Sequence, residues 1–108
     1  MNALDQIQKL GGKNADRVCL LNRKLLDLGF AIGDRYNVTA TPKKVTISAD
    51  TNGKRRVGVW TNHGKGDLPW IDLRSCKSYS FVGWGTHVRV RANEGVITVT
   101  PFNNGGEA

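Results

Sequence analysis

Histidine and cysteine are scarce in this chain, at two residues each in 108. Cys19 and Cys76 stand far apart with no CxxC or HxxxH pair beside them. Zinc requires four clustered ligands, so no zinc site is expected and both thiols are read as reduced structural residues. No apolar run approaches membrane-spanning length. Residues 1–12 also lack the cationic start, apolar stretch and small-residue cleavage site of a signal peptide, which points to a cytosolic protein. The length allows one modest core rather than two, hence a single domain over 1–108. Catalytic signals are equally thin. The segment HGKGD from His63 lacks the length and the Ser or Thr of a phosphate-binding P-loop. Nor does anything in the sequence give His63, Lys65 and Asp67 the placed partner that acid–base chemistry requires. A non-enzyme with no metal and no cofactor is the expectation.

Positive charge is abundant. Sixteen Lys and Arg against nine Asp and Glu leave a net charge of +7, which favours polyanionic partners through counterion release and long-range attraction. The plainer explanation is solubility.

Ala3, Leu4, Ile7 and Leu10 recur at helical spacing, Asn2 can cap them and Gly11-Gly12 can stop them, so residues 1–12 predict a short amphipathic N-terminal helix. Residues 17–21 then predict a strand. Asn22 follows as a cap, and residues 23–28 form about one and a half helical turns closed by Gly29. From Tyr36 the period becomes two. Tyr36, Val38 and Ala40 share a face, Pro42-Lys43-Lys44 turns the chain, and Val45, Ile47 and Ala49 return. Asn52-Gly53 carries the signal of a type I′ turn leading to a third antiparallel strand with Val57, Val59 and Trp60. Residues 61–68 read as a flexible loop and 70–73 as a short strand. Beyond a Gly83-Trp84-Gly85 corner, Val88 and Val90 alternate with His87, Arg89 and Arg91. Asn93-Glu94-Gly95 turns, residues 96–99 return, and 103–108 form a tail. Six or seven strands with little helix predict a mainly β fold, a small barrel or sandwich.

A shift of 52 residues lays the segment starting at Gly33 on the segment starting at Gly85 without a gap. Val38 falls on Val90, Ala40 on Ala92 and Thr46 on Thr98, and further apolar positions coincide, including Tyr36 with Val88, Val45 with Ile97 and Ile47 with Val99. Each hairpin is preceded by another strand and a short connector, which in the first half carries Leu25, Leu26 and Phe30. Each half alone would expose an apolar face, so the two should interlock about a pseudo-two-fold core.

Residues 17–49, with Leu25-Leu26, Leu28-Gly29-Phe30, Gly33 and the alternating Val and Ile of two strands, resemble the SymE-type version of the AbrB, MazE and SymE swapped-hairpin superfamily. Residues 69–101 resemble it more weakly, since Gly83-Trp84-Gly85 replaces the LGF join. The resemblance implies two interlocked swapped-hairpin units in one chain forming a small barrel, and hence a monomer where relatives dimerise, although a homodimer stays open. Residues 50–68 supply an extra strand and a glycine-rich loop between the units. The resemblance also implies nucleic-acid binding by a DNA-binding regulator or antitoxin, or by an RNA-targeting toxin. The family's basic strand and loop correspond here to Arg17, Arg23 and Lys24.

Period two places His87, Arg89 and Arg91 on one exposed strand face, about seven ångströms apart, a spacing suited to successive phosphates. The first half has Arg35 at the equivalent start. Lys43 and Lys44 at one tip, with Lys54, Arg55 and Arg56 past the next turn, form a second basic cluster able to follow a backbone without reading sequence. Charges of this kind also keep a sheet face solvated and deter edge aggregation. Trp60, Trp70 and Trp84 could stack on unpaired bases or close the ends of a small barrel. The functional expectation is a phosphate-backbone binder, DNA before RNA. The alternative is an inhibitor, such as a phage-type anti-CRISPR, that meets an acidic protein surface with its tryptophans as anchors.

Overall fold

The two hairpins form where alternation and turn chemistry agree. In the computed structural model, which describes residues 4–11, 16–21, 23–62, 66–76, 79–81 and 83–102, β3 (Arg35–Thr41) and β4 (Lys44–Ala49) are joined by Pro42-Lys43. Their counterparts β8 (His87–Asn93) and β9 (Val96–Phe102) are joined by Glu94-Gly95. Gly95 adopts φ +77°, a conformation that only glycine enters without penalty. Tyr36 lies opposite Ala49, and Val88 opposite Pro101, so the two hairpins have one register under the 52-residue shift. The hairpins then pair with each other through β4 and β9. Thr46 faces Thr98, its own equivalent. The repeat read in the sequence is thus a local two-fold relation in the sheet.

The connectors interlock the halves. Residues 23–28 form a 3₁₀ helix, Arg23–Leu28, whose last carbonyl accepts the N–H of Gly95 at 2.7 Å, holding the tip of the second hairpin. In the second half Trp84 performs the reciprocal task. Its indole N–H donates to the Pro42 carbonyl at 2.9 Å, at the tip of the first hairpin. Strand β2 (Arg17–Leu21) pairs with β7 (Gly66–Arg74), so the leading strands of the halves also meet.

Three expectations are corrected. Residues 4–9 are a strand, β1 (Leu4–Lys9), antiparallel to β8 rather than a helix. Its helical spacing was coincidental. Leu4 and Leu10 enter the core, Ile7 is exposed, and the inward Gln8 is satisfied by donating to the Cys19 carbonyl at 3.0 Å. Second, Asn52-Gly53 does not make a type I′ hairpin. Gly53 has no positive φ, and it is required because a Cβ there would come within 2.5 Å of the Tyr36 backbone. The following strand β5 (Arg55–Arg56) therefore pairs with β3, not β4. Third, the stretch read as a loop is largely a hairpin. Strand β6 (Gly58–Asn62) pairs with β7 up to Asn62 opposite Gly66. Among the described residues β2 pairing ends at Trp70, so Pro69 is partnered on the β6 side only, which a proline tolerates. Residues 2, 3, 22, 63–65 and 103–108, which carry the expected helix start, the Asn22 cap, His63, Lys65 and the tail, lie outside the described residues.

The strands form two antiparallel sheets, ordered β1-β8-β9-β4-β3-β5 and β2-β7-β6, rather than one closed barrel. The sheets touch at two corners. A bridge between Gly11 and Arg17 links β1 to β2. At the other corner the chain passes directly from β5 through buried Val57 into β6. Between the sheets a single core collects Leu25, Phe30, Val45, Ile47, Ile71, Leu73, Phe81, Val90, Ile97 and Val99. No helix among the described residues is long and apolar enough to cross a membrane.

Candidate nucleic-acid interface

Alternation puts His87, Arg89 and Arg91 on the outer face of the six-stranded sheet, with Val88, Val90 and Ala92 buried beneath. Strand β1 runs alongside and brings Asp5 opposite Arg91 and Ile7 opposite Arg89. Arg89 binds the Asp5 carboxylate with two hydrogen bonds, at 3.0 and 2.9 Å, and the Arg91 guanidinium lies 4.0 Å from it. The hydrogen bonds from Arg89, aided by the charges of Arg89 and Arg91, hold the Asp5 carboxyl below its ordinary range. His87 pairs through Nδ1 with the Thr86 hydroxyl at 2.8 Å. Arg89 and Arg91 of this row are thus ion-paired to Asp5. The sequence reading missed it because Asp5 lay in a segment read as helix.

A different cluster assembles where the chain crosses between the sheets. Arg55 and Arg56, both exposed on β5, border a shallow cavity of about 380 Å³ whose other walls are Tyr36, Gly58, Trp70 and Asp72. The Arg55 guanidinium lies 5.5 Å from the Tyr79 ring centroid, a cation–π distance. Burial raises the pKa of Tyr36 and Tyr79, and the Arg55 charge opposes both shifts. Arg56 has no ion pair among the described residues. Asp72 accepts two bonds from Arg17, at 2.6 and 2.9 Å, which raise the pKa of Arg17, and lies 3.9 Å from Arg74. Four arginines thus surround one carboxylate at this seam, giving a net positive cleft. Arg74 was absent from the sequence-level candidates because the strand was read as ending at residue 73, and Asp72 because its cross-strand partner Arg17 is 55 positions away. Extending its alternation by one residue would have found Arg74.

The tryptophans divide by role. Trp84 is buried at 4% exposure, edge-on to Phe81, and closes the core. Trp70 lies on the outer face of β7 against Gly58, where an added Cβ would meet its backbone at 3.4 Å and its ring at 3.8 Å. The indole N–H of Trp70 donates to Cys19 Sγ at 2.7 Å. Cys19 and Cys76 form no disulfide. Trp60, 46% exposed, meets Trp70 in a T-shaped contact with centroids 5.8 Å apart.

The remaining candidates are dispersed. Arg23 and Lys24 lie exposed on the 3₁₀ helix, and Lys43 and Lys44 at the first hairpin tip. Arg35 donates to the Gly53 carbonyl at 3.3 Å opposite Arg56, and the Lys54 N–H donates to Asn37 Oδ1. No group of three or more metal-ligating side chains occurs among the described residues. Comparison with protein-family models, curated proteins and solved structures gives no match.

Proposed function

We propose that this protein is a cytosolic, non-enzymatic nucleic-acid binder that contacts the phosphate backbone, DNA in preference to RNA, in the manner of a regulator or antitoxin. The observation that carries this reading is the seam. Arg55 and Arg56 stand side by side and exposed above a cleft that Arg17 and Arg74 make still more positive. Guanidinium groups suit phosphate through charge and paired donors. The reciprocal docking of each hairpin tip on the other half's connector supports the AbrB, MazE and SymE resemblance. On that reading one chain supplies both units, and a monomer is the working state.

The test is binding to labelled DNA across a range of salt concentrations. The parent should bind with a steep salt dependence, and Arg55→Ala/Arg56→Ala should reduce the slope of log K against log salt by about two, one per lost phosphate contact. Absence of binding at low salt would overturn the proposal. A second reading, an inhibitor of an acidic protein, draws support from the exposed indole of Trp60, since tryptophan is a frequent interface anchor.

A further inference from the structure

We propose that the strand engaged at the seam is single-stranded, with one base stacked on the Trp60 indole while neighbouring phosphates of the same strand meet Arg55, Arg56 and Arg74. The inference rests on the nucleic-acid reading above and narrows it. In a duplex both faces of each base are covered by its neighbours, so an exposed indole can stack only on a base that has left the helix. Trp60 is built for such contact. Trp70 buttresses it at an interplanar angle of 82°, and Trp70 is itself held by the Cys19 thiol and seated against Gly58. The exposed ring is therefore oriented before any ligand arrives, which lowers the entropic cost of stacking.

The charge has matching placement. Arg55 and Arg56 line one cleft with Gly58 and Trp70, and Trp70 in turn meets the Trp60 ring, so Trp70 lies between the guanidinium groups and the exposed indole. Four residues of chain keep the backbones of Arg56 and Trp60 within about 13 Å of each other. On the same outer face Leu21, Leu68, Trp60 and Trp70 make an apolar surface toward one end of the sheet, with Arg17 and Arg74 at its other end along β2 and β7 and with Arg55 and Arg56 at the seam. An apolar floor with positive charge to one side of it fits a base and the phosphates that follow it along the strand. The Arg89 row differs: two arginines share the Asp5 carboxylate, a smaller arginine excess, and the ring beside them, Phe102 opposite His87, is half-buried.

Fluorescence anisotropy with three labelled oligonucleotides of equal length would decide the matter: single-stranded oligothymidylate, an abasic strand with the same phosphates, and a duplex. The intact strand should bind about tenfold more tightly than the abasic one, the size of one base–aromatic stack. Trp60→Ala should bring it down to the abasic level without changing abasic binding, and Trp60→Phe should retain part of the difference. Equal binding of intact and abasic strands, or indifference to Trp60→Ala, would overturn the inference and leave backbone binding in place. If none of the three binds at low salt, both readings fall and an acidic protein partner becomes the candidate.

Discussion

The outer faces of the two sheets carry the same residue types and put them to different use. On the six-stranded sheet Arg89 is only 27% exposed and is held on both oxygens of Asp5, with Arg91 close to the same carboxylate. On the three-stranded sheet Arg17 is held on both oxygens of Asp72 in the same way, but Arg74 beside them is 70% exposed, and at the adjoining seam Arg55 and Arg56 are exposed, Arg55 over the Tyr79 ring. Positive charge in a strand thus says little about binding until its cross-strand neighbour is known. One aspartate on an edge strand turns a basic row into a structural ladder. A cleft with four arginines to one aspartate keeps its field.

The strongest way to break this comparison is to ask whether the two faces depend on one core. Ile97 is fully buried at the centre of the six-stranded sheet, opposite Ile47 and Ala92. Ile97→Ala should cost about 2–5 kcal/mol through lost burial and the cavity left behind. Tryptophan fluorescence, which reports largely on the seam, should shift in the same urea transition as far-ultraviolet circular dichroism. Two separate transitions would show that the sheets are independent.

An intermediate effect is expected at Asp72. Replacing it with Asn removes the only carboxylate lining the cleft among the described residues and releases Arg17 and Arg74 from it. Asp72→Asn should therefore tighten DNA binding several-fold at low salt and steepen the salt dependence. Weaker binding would mean that Asp72 positions Arg17 for contact rather than competing with phosphate.

The smallest effect concerns Asp5 and Arg89. Because the folded-state pKa of Asp5 is depressed, its contribution to stability is present above the ordinary aspartate range and is lost as pH falls through the folded value. Arg89→Ala should return the Asp5 titration, followed by carboxyl NMR, toward the ordinary range and flatten the loss of stability below about pH 4. It should leave the salt slope of DNA binding unchanged. A reduced slope would make the ladder part of the interface after all.

Much of the architecture was legible in the residues because its causes are local. Strand β2, the connector helix Arg23–Leu28 and both hairpins follow from alternation and turn residues a few positions apart. The 52-residue shift holds because each hairpin must present the same apolar stripe to bury it. Failures occurred where a segment's partner lay far away in sequence. Leu4–Lys9 matches a helical pattern in isolation, yet extending the sheet beside β8 satisfies its backbone and buries Leu4. Gly53 looks like a turn residue when it is in fact a point of close approach to Tyr36.

By itself, then, the sequence determined a basic, mainly β chain with two equivalent hairpins, since composition, periodicity and turn chemistry act over a few neighbouring residues. Only the tertiary structure decided which of its cations are spent on carboxylates and which remain to act. That outcome depends on pairs such as Asp5 with Arg89 and Arg17 with Asp72, groups 84 and 55 positions apart that meet only when the strands pair.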